Sequence, residues 1–167
     1  NTGLGYGALS ANTTANYNTS VGSHSLQDNT TGASCTALGY KALADNTTGD
    51  NNVAVGDNAL LANTTGDQHT AVGKNALSTI TTASENTALG YYAGNSMTTG
   101  TQNTAIGNQA MIAATTGSYN TAVGCYALDA AVTGNSNTAV GHQALSLNTS
   151  GCLLYTSPSP RDQRGSR

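Results

Sequence analysis

The sequence contains no phenylalanine and no tryptophan, and charged residues make up only 8% of it. A chain of 167 residues so short of bulky apolar side chains cannot build a globular interior of the usual kind. The scarcity of charge argues equally against a disordered chain, which is normally charge-rich. Between Asn1 and Gly151 two lysines stand against seven carboxylates, a net charge of −5, and arginine is absent there. Binding to a nucleic-acid backbone needs clustered Lys and Arg, so a nucleic-acid partner is not expected. No stretch reaches the apolar length of a membrane span, and membrane insertion is not expected either. The sequence starts inside a repeat and without Met, so it reads as a fragment from which a signal peptide could have been removed.

What the chain does have is a period. Gly5, Gly22, Gly39, Gly56, Gly73, Gly90, Gly107, Gly124 and Gly141 follow one another every 17 residues, each preceded by Val, Leu or Ile. Counted from the Asn before this motif, the unit is N-T-A-[VLI]-G-x-x-A-L-x-x-N-T-T-G-x-x. Positions 2 to 4 read as a short strand. The glycine at position 5 marks a positive φ or a close backbone approach. The Ala-Leu pair at positions 8 and 9 shares a face only in a helical turn, and Asn-Thr-Thr-Gly reads as a tight turn. No such unit buries anything alone, so the expected fold is a β-roll-like β-solenoid of nine stacked coils over residues 1–151, open at both ends. At the spacing of parallel strands the rod would be roughly 43 Å long. Val21, Leu38, Val55, Val72, Leu89, Ile106 and Val123 are expected to form one inward ladder with the Leu of position 9. Asn side chains are expected to stack and hydrogen-bond from coil to coil.

Departures from the unit carry information. In the sixth coil Gly94 replaces the usual Leu, and Met97 stands three residues later in place of Asn, where its flexible side chain suits the gap. Position 12 is otherwise polar, yet Ile80, Met97, Ala114 and Ala131 make an apolar strip over four consecutive coils. That strip is a candidate contact face. The small residues at position 3, from Ala37 to Ala139, offer a second smooth face for close approach. With so thin an interior per coil, burial of a further face in a homo-oligomer is expected. Phase is lost after Gly151: the next coil needs Gly at 158 and has Pro158. Residues 152–167 hold both prolines and all three arginines, and Cys152 to Asp162 match the translation of a common sequencing adapter. This stretch is expected to be a non-native, unstructured tail on a metagenomic fragment, making no ladder contacts.

No catalytic constellation is visible, and no cofactor or metal is expected. Cys35 and Cys125 lie five coils apart, about 24 Å along the rod and beyond disulfide reach. Both read as substitutions tolerated in their ladders. His24, His69 and His142 share no column, and Cys125 with His142 supplies two ligands where zinc takes three or four. Tyr6, Tyr40, Tyr91, Tyr92 and Tyr126, at positions 6 and 7, are candidate glycan contacts, since tyrosine can stack on sugars and hydrogen-bond them. Asn12, Asn29, Asn46, Asn63 and Asn148 open glycosylation sequons, but these follow from the repeat's own turn.

The N-T-A-[VI]-G core with A-L and N-T-T-G resembles repeats of phage-type and bacterial tail-fibre proteins across Asn1 to Gly151. More distantly it is similar to the S-x-A-[IV]-G coils of trimeric autotransporter adhesin heads, which form left-handed β-rolls. The resemblance implies a non-enzymatic structural or adhesive fibre segment, extracellular, on a cell surface or a virion. It further implies a homotrimer and a surface glycan or protein receptor. The present unit is longer than an adhesin coil and has Ala-Leu where that family has a second strand. Two alternatives remain. A solenoid enzyme would need an apolar six-residue period or a charged cleft, and neither is found. An ice-binding solenoid would show flat Thr ranks, and the adjacent Thr13-Thr14 type pairs would face opposite ways in a strand.

Overall fold

The computed structural model describes residues 1–130 and 132–150, together with the backbone of a strand at 154–156. Each repeat contributes one three-residue strand: β1 (Thr2–Leu4), β2 (Thr19–Val21), β3 (Thr36–Leu38), β4 (Val53–Val55), β5 (Thr70–Val72), β6 (Thr87–Leu89), β7 (Thr104–Ile106), β8 (Thr121–Val123) and β9 (Thr138–Val140). They pair in parallel and in chain order, and equivalent residues face one another, as in Ala54↔Ala71 and Val55↔Val72. The chain is therefore a parallel β-solenoid with one repeat per coil. Strands this short cannot hold a register by themselves. Here the period holds it, because a slip by one residue would misalign every column at once.

A tenth strand, β10 (Leu154–Thr156), adds to β9 with Leu154 opposite Thr138. The spacing at this join is 16 residues, one fewer than in the array. The expectation that residues 152–167 make no ladder contact is thus corrected for these three residues. The rest of that tail lies outside the described residues.

The stretch after each strand is not helical, and no helix occurs among the described residues. The fourth coil shows why. Asn58 and Leu60 have φ of 56° and 53°, so left-handed residues alternate with right-handed ones. This alternation turns successive amides up and down the rod instead of along the chain. Asn58 N–H donates back to the Tyr40 carbonyl of the preceding coil at 2.9 Å, and Leu60 N–H donates forward to Ala76 at 3.0 Å. Within the coil only tight-turn bonds close, such as Asn63 N–H to Leu60 O at 3.2 Å. The expected helical turn is corrected on this point. A left-handed leucine costs on the order of 1–2 kcal/mol. What offsets it is a fully buried side chain and backbone bonds to both neighbouring coils. The conformation also puts Ala59 and Leu60 together inside, so the pair shares a face without a helix.

The strand faces the other way from expectation. In β2 to β9 the residue at position 3 is buried, while the Val, Leu or Ile at position 4 is half-buried or exposed, with Leu38 and Leu89 each at 47%. In a three-residue strand, positions 2 and 4 share one side and position 3 has the other. The interior is narrow: a Cβ on Gly3 would stand 3.7 Å from Leu9 Cδ1 and 3.3 Å from the Ala8 carbonyl oxygen. Only a side chain of about alanine size fits between the strand and the Leu of position 9. The inward Val/Leu/Ile ladder is corrected, and so is the smooth outer Ala face, since Ala37 to Ala139 line the core. Stacking itself is unaffected.

Glycine at position 5 is required by close approach. Gly56 has φ of +134°, and a Cβ there would lie 2.6 Å from the Gly73 carbonyl oxygen. In the sixth coil a Cβ on Gly94 would sit 2.9 Å from Met97 Sδ and 2.8 Å from Leu77 Cδ2. Met97 thus fills the place of the missing leucine.

Candidate functional site

Three places could act on something outside the chain or respond to it: the outward face of the sheet, the edge formed by positions 6 and 7, and the polar column at position 1. The sheet face carries position 2, which is Thr except at Val53, and position 4, which is Val, Leu or Ile. No charged side chain interrupts it from β1 to β9. A continuous, uncharged, partly apolar face of this kind is a candidate for contact with a partner. Sequence reasoning missed it by sending position 4 inward. The available signal was the repeated small residue at position 3, which only a crowded interior demands.

On the edge, the structure gathers some of the candidate tyrosines and separates others. The rings of Tyr6 and His24 meet edge-on at 5.2 Å, and His24 meets Tyr40 edge-on at 6.2 Å. Lys41 Nζ lies 5.6 Å from the centre of the Tyr40 ring, within cation–π range. His24, which is not among the candidate tyrosines, links two of them. Tyr91 and Tyr92 form a second pair at 4.5 Å. Tyr126 stands two coils further on and is half-buried. Between the two clusters Lys74 pairs with Asp57 at 3.3 Å, an exposed ion pair that contributes little.

The proposed strip is not on the surface. Ile80, Met97 and Ala114 are each no more than 1% exposed, because position 12 points inward beside the residue at position 9. That contact face is corrected; Ala131, its fourth member, lies outside the described residues. The sequon asparagines Asn29, Asn46 and Asn63 are likewise fully buried. Their amides are engaged in the interior, as in Asn46 Nδ2 to Asn29 Oδ1 at 2.8 Å and Asn63 Nδ2 to Asn46 Oδ1 at 2.9 Å.

A second amide column runs at position 1. Asn103 Oδ1 accepts from the Asn120 amide of the next coil at 2.9 Å, and Asn103 Nδ2 donates to the Gly117 carbonyl at 2.9 Å. Cys35 takes this place in the third coil, where its Sγ donates to the Gly49 carbonyl at 3.3 Å. Burial is the main cause that pushes its thiol up to about 11, so it is a poor nucleophile at neutral pH. His69 takes the same place in the fifth coil. Among the described residues no three His, Cys, Asp or Glu side chains come together as a metal site requires. No helix among them is long and apolar enough to cross a membrane. Compared with known proteins, the chain matches no family model, no curated protein and no solved structure.

Proposed function

We propose that this chain is a non-enzymatic structural and adhesive segment of an extracellular fibre, carried on a cell surface or a virion. It self-associates, as a trimer, through the outward Thr/Val-Leu-Ile face of its sheet, and its edge tyrosines contact a surface glycan. The observation that carries the reading is the uncharged face at positions 2 and 4, continuous over nine coils. The coils exchange their backbone and amide hydrogen bonds chiefly with one another, which suits a stiff rod more than a cleft. The resemblance of the repeats to tail-fibre proteins points the same way.

Light scattering on the full chain tests assembly. A trimer is expected at micromolar concentration, and Val72→Glu, which places a carboxylate on the outward face, should give a folded monomer. A wild-type chain that is monomeric and folded would overturn the assembly. Binding to a glycan array, reduced by Tyr40→Ala and by Tyr91→Ala, tests adhesion; an array without signal counts against a glycan ligand.

One observation favours a second reading, ice binding. The Thr13 and Thr30 hydroxyls are spent on carbonyls of the next coil, at 2.9 Å each. The threonines of position 2, however, form an in-register rank on the sheet face from Thr70 to Thr138, broken before it at Val53. Thermal hysteresis that Thr87→Lys abolishes would decide for this reading.

A further inference from the structure

The column at position 1 has a fixed hydrogen-bond polarity. In coils one, two, four, six, seven and eight an asparagine there offers an acceptor to the amide of the next coil and a donor to the carbonyl at position 15 of its own coil, as Asn52 does with His69 N–H at 2.9 Å and Gly66 O at 2.8 Å. Asparagine meets both needs with an amide that does not titrate. His69 meets them with a ring that does. Its Nε2 stands 2.7 Å from the Ala83 carbonyl oxygen, which can only accept, so Nε2 bears the hydrogen. Its Nδ1 stands 3.2 Å from the Asn86 backbone nitrogen, which can only donate, so Nδ1 presents its lone pair. The partners dictate one neutral tautomer. With the ring 1% exposed, water cannot take over either role.

We propose that His69 makes one junction of the rod acid-sensitive: a proton on Nδ1 turns the acceptor that holds the Asn86 amide into a second donor, and the tie between the fifth and sixth coils at this column is lost. The groups facing the ring are few. Asn52 from the preceding coil and Asn86 from the following one bring amides, and the Gly66 and Ala83 backbones close the sides. Asp67, two residues earlier, is the charged group acting on the ring, and it favours the cation. Burial outweighs it and lowers the ring's pKa from the ordinary 6.5. The unfolded chain therefore binds this proton more readily than the folded one. The histidine's contribution to stability is complete above about pH 6.5 and is lost as pH falls from there towards the depressed folded value. The device does not depend on whether the rod adheres to anything.

His69→Asn supplies the control, because Asn fills this column in seven of the nine coils. The measurement is the melting temperature of the full chain and of this variant between pH 8 and pH 5. Every other ionisable group is the same in the two chains, so the difference isolates His69. The wild type should lose stability relative to the variant once pH drops below 6.5; parallel profiles overturn the proposal. In the wild type alone, the exchange of the Asn86 amide, corrected for its intrinsic rate, should reveal an opening that grows by up to about tenfold per pH unit below 6.5. An Asn86 amide whose protection is indifferent to pH over that range would equally refute it.

Discussion

Coils two to four and coils five to seven follow the same backbone path and differ in what fills position 12. In the first group Asn29, Asn46 and Asn63 form a buried amide ladder; in the second Ile80, Met97 and Ala114 fill the space with carbon. The ladder even has an end cap, since Asn63 Oδ1 accepts from its own Gly66 amide at 3.2 Å where Ile80 begins the apolar section. The carbonyl at position 15 explains how both versions are allowed. Gly66 O accepts from Asn63 Nδ2 at 2.9 Å and from Asn52 Nδ2 at 2.8 Å. In the sixth coil Gly100 O keeps the position-1 donor, Asn86 Nδ2, at 2.9 Å. Position 1 therefore satisfies the backbone in both groups, and position 12 is needed for volume, with polarity optional so long as it is complete.

If volume is what matters in the apolar group, Met97→Ala should have the largest effect. Its thioether fills both its own site and the space above Gly94, so the coil would lose its one large interior side chain. A loss of about 2–5 kcal/mol is expected from chemical denaturation. A loss no greater than that of an exposed substitution would mean that the coil collapses freely, and the volume argument would fail. Asn46→Ala should cost less, about 1–3 kcal/mol, through the polar groups it strands. Asn63 Nδ2 would lose one acceptor and Asn29 Oδ1 its donor, although both are buried. Equal cost for Asn46→Ala and Ala114→Gly would erase the distinction between the two groups.

The stacking was legible in the sequence because a strict period of 17 leaves no other way to bury a unit this small. The Met97 compensation for Gly94 was legible too, since both departures fall in one coil. The facing of the strand was not. Hydrophobicity argued for burying Val72 over Ala71, whereas the width of the coil decides for alanine. The nature of the turn was hidden for a related reason. Ala76-Leu77 share the interior as they would on a helix, and nothing in their identities reports that Leu77 has φ of 50°. The candidate site fared unevenly: Tyr91 and Tyr92 meet, while Ile80, Met97 and Ala114 of the apolar strip are core. A residue that interrupts a polar column reads as surface only if the column is outside, and periodicity alone does not say which columns are.

The smallest expected effect is the sharpest test of the comparison. Replacing Asn29, Asn46 and Asn63 together by Ile would convert the polar group to the chemistry of Ile80. Removing all the partners of a buried network is far less costly than removing one, because the ladder's donors and acceptors leave together. The Gly66 N–H, bonded to Asn63 Oδ1 at 3.2 Å, does lose its acceptor, and the added apolar burial of three isoleucines offsets that loss. The carbonyls would not be orphaned: Gly32 O keeps Asn18 Nδ2 at 2.8 Å, Gly49 O keeps the Cys35 thiol at 3.3 Å, and Gly66 O keeps Asn52 Nδ2. In the first coil Asn12 Oδ1 loses Asn29 Nδ2, at 3.3 Å, but Asn12 is only half-buried, so water replaces that donor. The triple variant should therefore lie within about 1 kcal/mol of the wild type, although Asn46→Ala alone costs more than that. Chemical denaturation of the two variants side by side measures the gap. A triple variant that loses the sum of three single losses would show that each amide stabilises its coil independently, and that the ladder is no more than three separate hydrogen bonds.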